Sequence, residues 1–175
     1  MYTPAKTLET RLEALHALVD AHPLGALVRL GADGLDADHL PFQLVPPCAE
    51  APHGRLRAHV ARANPLWRAD GAEVMVLFRG GSAYVSPLEY DLEASGGREV
   101  PTWNYMVVNV HGRLRTVDDG EWIMAHMRAA TMRREAQPGG WSIEDAPADY
   151  IARLLRATVG IEITIDRIAG KFKTE

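Results

Sequence analysis

Arg57, His59, Arg62 and Asn64 fall close together where a predicted strand gives way to a predicted short helix. A guanidinium can clamp an anion bidentately, and free N–H groups at a helix start favour negative charge. A plainer assignment uses the same residues: Asn64 caps the turn before Pro65, and the arginines are solvated. From the residues alone, the plainer assignment prevails. A second group is Pro101-Thr102-Trp103-Asn104-Tyr105. Two aromatics around an amide can stack on a planar ligand and bond its edge, or can fill a barrel end or a subunit interface. Tyr84-Val85-Ser86-Pro87 and Tyr90 add aromatic and hydroxyl groups, readable equally as turn chemistry and packing.

Other chemistries lack their signatures. The seven histidines (His16, His22, His39, His53, His59, His111, His126) form no ligand pair at helical spacing, which speaks against a metal site. Cys48, the one cysteine, lies in a Pro-rich loop with no nucleophile context and rules out an intramolecular disulfide. No Gly-x-Ser-x-Gly, Gly-x-Gly-x-x-Gly or phosphate-loop motif is present. The chain has 175 residues and a net charge of −4, with 47% hydrophobic and 24% charged residues. That balance excludes a disordered chain and gives no field for wholesale nucleic-acid binding. Only Lys6, Lys171 and Lys173 of the 19 basic residues are lysines, a skew that coding bias explains. No run of ~18 apolar residues suggests a membrane span. The expectation is a single soluble, cytoplasmic domain over 1–175.

The elements that must position these groups can be read from periodicity. Leu8, Leu12, Leu15, Leu18 and Val19 predict an N-terminal helix over about 8–20, stopped by Pro23. Residues 24–45 read as a hairpin, 55–60 as a third strand, and 73–79 as a fourth that turns at Gly80-Gly81-Ser82. Residues 87–99, with Ser95-Gly96-Gly97, read as a loop, and 102–116 as a long strand. Helices are expected within about 119–156, and the alternation Val159, Ile161, Ile163, Ile165 places a last strand at about 158–168. Barrel strands thus occupy about 24–116 and 158–168. The arginines of the two C-terminal helices sit beside a connector too long for a helix-turn-helix. The pattern is α+β, mainly antiparallel, with a sheet able to close into a small barrel.

Several segments in order carry a resemblance: Ala37-Asp38-His39-Leu40-Pro41-Phe42, His59-Val60-Ala61-Arg62-Ala63-Asn64-Pro65, Tyr84-Val85-Ser86-Pro87, Val100-Pro101-Thr102-Trp103-Asn104-Tyr105, Val159-Gly160-Ile161-Glu162-Ile163 and Gly170-Lys171-Phe172-Lys173. Together they resemble the PaiB family of FMN-binding negative transcriptional regulators, related to pyridoxamine-phosphate-oxidase-like split barrels. The resemblance implies an FMN-binding split β-barrel with peripheral helices, a homodimer, and FMN at the subunit interface. It implies a phosphate site at His59, Val60, Ala61, Arg62 and Asn64, and a flavin ring along Asp38, His39, Leu40 and Pro41. Trp103 and Asn104 would approach from the partner, and Lys171 joins the binding set. Catalytic residues are not implied. A flavin-dependent oxidoreductase or reductase, and a haem-handling barrel using His39, His59 or His111, are the alternatives, and direct DNA contact is not expected.

Overall fold

From Val159 to Ile165 every second residue is Val or Ile, and a strand of that period turns one side chain in two toward a core. The computed structural model describes residues 1–90, 93–94 and 96–174; Asp91, Leu92 and Ser95 of the expected loop, and Glu175, lie outside the described residues. The strands are β1 (Leu8–Glu9), β2 (Leu24–Gly31), β3 (Gly34–Pro41), β4 (Gln43–Val45), β5 (Arg55–Ala61), β6 (Glu73–Val85), β7 (Thr102–Val117) and β8 (Thr158–Lys173). The helices are α1 (Leu12–Ala21), α2 (Gly120–Arg134) and α3 (Ala148–Arg156). All pairings between these strands are antiparallel, in the order β3-β2-β6-β7-β8-β5-β4, with β1 added on β8.

The two ends of that order are neighbours in sequence. β3 pairs with β2 and β4 pairs with β5, and a single residue, Phe42, separates them. The sheet therefore curls until one bent run of chain, 34–45, supplies both edges. Phe42 turns inward, 5% exposed, and its ring meets Phe78 edge-on at 5.8 Å. Leu27, Leu56, Val76, Val110, Ile161 and Ile163 complete a dry interior, and α1 plugs it with Leu15, Leu18 and Val19. Gly170 makes room for that plug, since a Cβ there would lie 2.3 Å from Leu15 Cδ2.

Three boundaries differ from the sequence expectation. The N-terminal helix begins at Leu12, not near Leu8: Glu9 folds back to accept from the Thr10 and Arg11 amides at 2.9 and 2.8 Å, and Leu8–Glu9 pair with β8. Gly80-Gly81-Ser82 forms no turn. β6 runs through it with a bulge between Arg79 and Ser82, and bare Gly80 lets Leu18 and Met106 approach. β8 continues past 168 to Lys173, irregular opposite His111–Gly112, because its second half has β7 and β1 to pair with.

α2 and α3 share a small apolar cluster, Ile123, Met127, Ile143 and Ile151, and α2 lies over the outward face of β5 and β8. Asp119 caps α2, accepting from the Glu121 and Trp122 amides. The helix settles where β8 has no side chain: a Cβ on Gly160 would stand 2.4 Å from the Trp122 ring and 3.1 Å from the Val117 carbonyl. Gly160→Ala is therefore expected to destabilise the fold by roughly 1–3 kcal/mol through overpacking. Gly120→Ala, where an added Cβ meets nothing within 4 Å, is the control and should leave the denaturation midpoint nearly unchanged.

Candidate functional site

The alternation of β5 sends Leu56, Ala58 and Val60 into the barrel and Arg57 and His59 outward. In the neighbouring strand Gly160 and Glu162 face the same way, opposite His59 and Arg57 respectively. Glu162 is 5% exposed and accepts from Arg57 at 2.7 Å and from Arg115 of β7 at 2.8 Å. Burial pulls its pKa upward, but the hydrogen bonds and charges of Arg115 and Arg57 outweigh it and hold the group below the usual carboxylate range. Arg57 also lies over the Trp122 ring, 5.2 Å from its centre. One buried carboxylate thus ties β5, β7, β8 and α2 together.

Beside this triad is a ring stack. His126 packs parallel to Trp122 at 5.5 Å and edge-on to His59 at 5.3 Å, and its Nδ1 meets Gln43 Oε1 at 3.1 Å. His126 is 4% exposed. Burial, aided by His59 and Arg57, pushes its pKa down to about 4, and burial lowers that of His59. Both imidazoles are neutral at pH 7. His59 and Pro41 line a cavity of about 410 Å³ here, together with Gln43 and His126.

The anion reading of Arg62 meets a different arrangement. Its guanidinium donates to both Asp118 oxygens, at 2.9 and 2.5 Å, and to the carbonyls of Arg156 (2.9 Å) and Thr158 (3.3 Å). The pair lowers the Asp118 pKa. Arg62 is a brace joining the end of β5 to the starts of α2 and β8. Asn64 accepts from the Leu66 amide at 2.8 Å as a cap, and donates to Asp38 Oδ1 at 2.7 Å. The expected short helix is a single 3-10 turn, Pro65–Arg68, with that amide already bonded. Leu40 and Val60 are core residues whose side chains fill the barrel, and Ala61 is exposed.

Other expected residues lie on another part of the barrel's outer surface. Outward from β2, β3 and β6 point Leu24, Ala26, Val28 and Leu30, then Ala37, His39 and Pro41, then Met75 and Leu77. Leu24, Leu30 and Leu35 are 64%, 76% and 78% exposed. Asn109, His111 and Lys171 continue this face on β7 and β8. Lys171 sits near the Tyr105 and Tyr2 rings, at 5.3 and 5.9 Å. Trp103 pairs edge-on with Tyr84 at 5.9 Å, Lys173 bonds its carbonyl at 2.8 Å, and the buried Asn104 Oδ1 has no partner among the described residues. β3 and β7 are three strands apart in the sheet, on the order of 14 Å. The expected set therefore divides into three: His59 and Pro41 at the cavity, Asp38 with Asn64 and Arg62 at the barrel end, and His39, Trp103 and Lys171 around the bare face, with Asn104 turned to the Met106 side of β7. Sequence reasoning missed Gln43, His126 and Glu162. Of these only Glu162 had a signal, an acid set between isoleucines in an aliphatic strand.

Residues 1–167 match a family model described as "Putative FMN-binding domain". An uncharacterized protein of Emericella nidulans is 30% identical, covering 99% of this chain and 83% of its own. Protease synthase and sporulation protein PAI 2 of Bacillus subtilis is 27% identical over 99% of this chain and 81% of its own. Among solved structures, the FAD and heme binding protein from Mycobacterium smegmatis superposes with a TM-score of 0.68 at 17% identity, covering 97% of this chain and 74% of that one. A putative pyridoxamine 5′-phosphate oxidase from Listeria innocua gives 0.51 at 16% identity, over 91% and 96%. The sheet, closed on itself with three helices outside or plugging it, has the split-barrel fold of these neighbours.

The neutral His126 makes the fold acid-sensitive. The folded chain refuses a proton that the unfolded chain accepts near pH 6.5, so stability falls as pH drops from about 6.5 toward 4. Between pH 7 and 5 the loss from this group should be about 2 kcal/mol. Denaturant titrations at the two pH values check it, and His126→Phe should show a smaller pH dependence than the wild type.

Proposed function

Because the chain belongs to the family of FMN-binding domains, we propose that it works as an FMN-binding regulatory homodimer of the PaiB type, with the flavin held where two copies meet. The observation that carries this reading is the outward face of β2, β3 and β6. It is apolar, α2 and α3 pack on β5 and β8 instead, and α1 inserts into the barrel. A contiguous apolar face of this kind is a subunit interface in the making. Along its margins stand the flavin-competent groups that one copy alone cannot gather, because His39 and Pro41 border β2 whereas Trp103, Asn104 and Lys171 lie on β7 and β8. A two-fold partner supplies the missing half: Trp103 and Asn104 of the partner subunit against His39 and Pro41.

The residues fit the group. Trp103 offers a face for a planar ring, and the buried acceptor Asn104 Oδ1 matches an N–H on a ring edge. Lys171 is the cation for a phosphate, since Arg62 is already held by Asp118. Bound FMN supplies a ring that takes up and releases electrons. The side chains bind and orient it, and the apolar face excludes water from it. With a net charge of −4 and residues 135–147 between α2 and α3, the chain offers neither a phosphate-seeking surface nor a compact recognition turn. Regulation then runs through the flavin state or a bound partner.

Light scattering of the wild type at micromolar concentration should give a dimer that binds FMN. Leu77→Glu, a charge at the centre of the face, should give a folded monomer with FMN affinity reduced at least about tenfold. Lys171→Ala should weaken FMN roughly 10- to 150-fold, the range for a charge-assisted contact, and leave riboflavin little changed. A Leu77→Glu monomer that binds FMN as tightly as the wild type would overturn the interfacial site.

A further inference from the structure

The cavity of about 410 Å³ lies between the end of α1, the Phe42 bend and the last turns of α2. That volume is in the range of small-molecule sites. Its flat apolar surfaces are Phe42, Pro41 and Trp141, and its polar groups converge from Gln43, His59 and His126.

The two imidazoles can present acceptor nitrogens to the cavity, beside the donor groups of Gln43, Arg133 and Arg134. Gln43 Oε1 can only accept, so the His126 proton sits on Nδ1 and its other nitrogen keeps a lone pair. His59 brings a buried Nδ1 that has no hydrogen-bond partner among the described residues, an atom that a ligand would satisfy. Charge is balanced around them. Arg133 is paired with Asp20 at 2.7 Å, and Arg134 is followed by Glu135 at the helix end. The carbonyl end of α2 forms this wall, and a helix C-terminus disfavours an anion. The two arginine-bound oxygens of Glu162 leave it no part in the cavity.

We propose that this cavity is a second binding site, which takes an uncharged, planar heteroaromatic ring carrying N–H groups of the lactam or imide kind. The N–H donates to the imidazole pair, and the ring lies against Trp141 and Phe42. A phosphorylated flavin is a poor occupant, because its dianion would meet the carbonyl end of α2. The site is separate from the flavin face and does not depend on it, although Pro41 borders both.

The test is calorimetric titration of the FMN-loaded full chain with lumazine, a neutral pteridinedione. Lumazine should bind once per chain. Its 1,3-dimethyl derivative, which has no ring N–H, should bind at least about tenfold more weakly. Benzoate should bind worse than lumazine. His59→Phe should weaken lumazine roughly three- to tenfold, the range for one neutral hydrogen bond. Thr131→Trp, which places an indole in the cavity and leaves both imidazoles in the chain, should abolish binding. Thr131→Trp should keep FMN, read from the flavin absorbance after gel filtration. The proposal is overturned if the wild type ignores lumazine, if the dimethyl derivative or benzoate binds as well, or if the folded variants bind lumazine unchanged. It is equally overturned if folded Thr131→Trp loses FMN together with lumazine, which would make the cavity part of the flavin site. A chain that keeps FMN but ignores lumazine defeats this proposal alone, whereas one that takes up no FMN defeats the flavin reading.

Discussion

The barrel closes through one residue. Phe42 must point inward, and the strand on either side of it must then leave in two directions, β3 toward β2 and β4 toward β5. Everything placed around the cavity depends on that bend. With Phe42 in the core, Pro41 and Gln43 are turned outward, which brings Gln43 against His126 and Pro41 to the cavity rim. Had the run 34–45 been straight, one of the two edges would have stayed open and unpaired. The bond from Asn64 to Asp38 adds a second tie across the same seam, between the loop after β5 and β3.

The long strand β7 serves two surfaces. Its first half, Tyr105 to His111, faces the bare side of the sheet, and its second half, Arg113 to Val117, lies with β8 under the helices. Gly112 makes the change of register possible, since a Cβ there would sit 2.1 Å from the Thr164 carbonyl. On the helix side a carboxylate at 5% exposure is tolerable only because two guanidiniums reach it, and one of them is stacked on Trp122. Removing a partner there would leave a buried charge uncompensated, whereas the exposed pairs such as Arg153–Asp149 add little.

The sheet was legible wherever burial writes itself as a period of two. Val159 to Ile165 reads as a strand without help, and the apolar stripe of Leu12, Leu15, Leu18 and Val19 reads as a helix. Gly80-Gly81-Ser82 misled because glycine marks turns and bulges alike, and only the approach of Leu18 decides between them. The candidate site was less legible. Arg62 carries the same sequence context whether it holds an anion or a carboxylate, and its actual partner, Asp118, is 56 residues away. His126 was invisible for the same reason: a histidine on a helix shows its use only when a stacked Trp122 and a distant Gln43 are seen beside it. Lys171 was named through family resemblance, which periodicity could not have supplied.

The position of β8 has a consequence for synthesis. It is bonded to β7 on one side and to β5 and β1 on the other, so it is an interior strand of the sheet although it is made after both β5 and β7. While residues 158–173 are still inside the ribosome, β5 and β7 each present an unpaired edge, and the aliphatic floor of the barrel has not arrived. The nascent chain must hold these edges apart, or lend them to a chaperone, until β8 slides between them. Pairings of such large sequence separation also make folding slow.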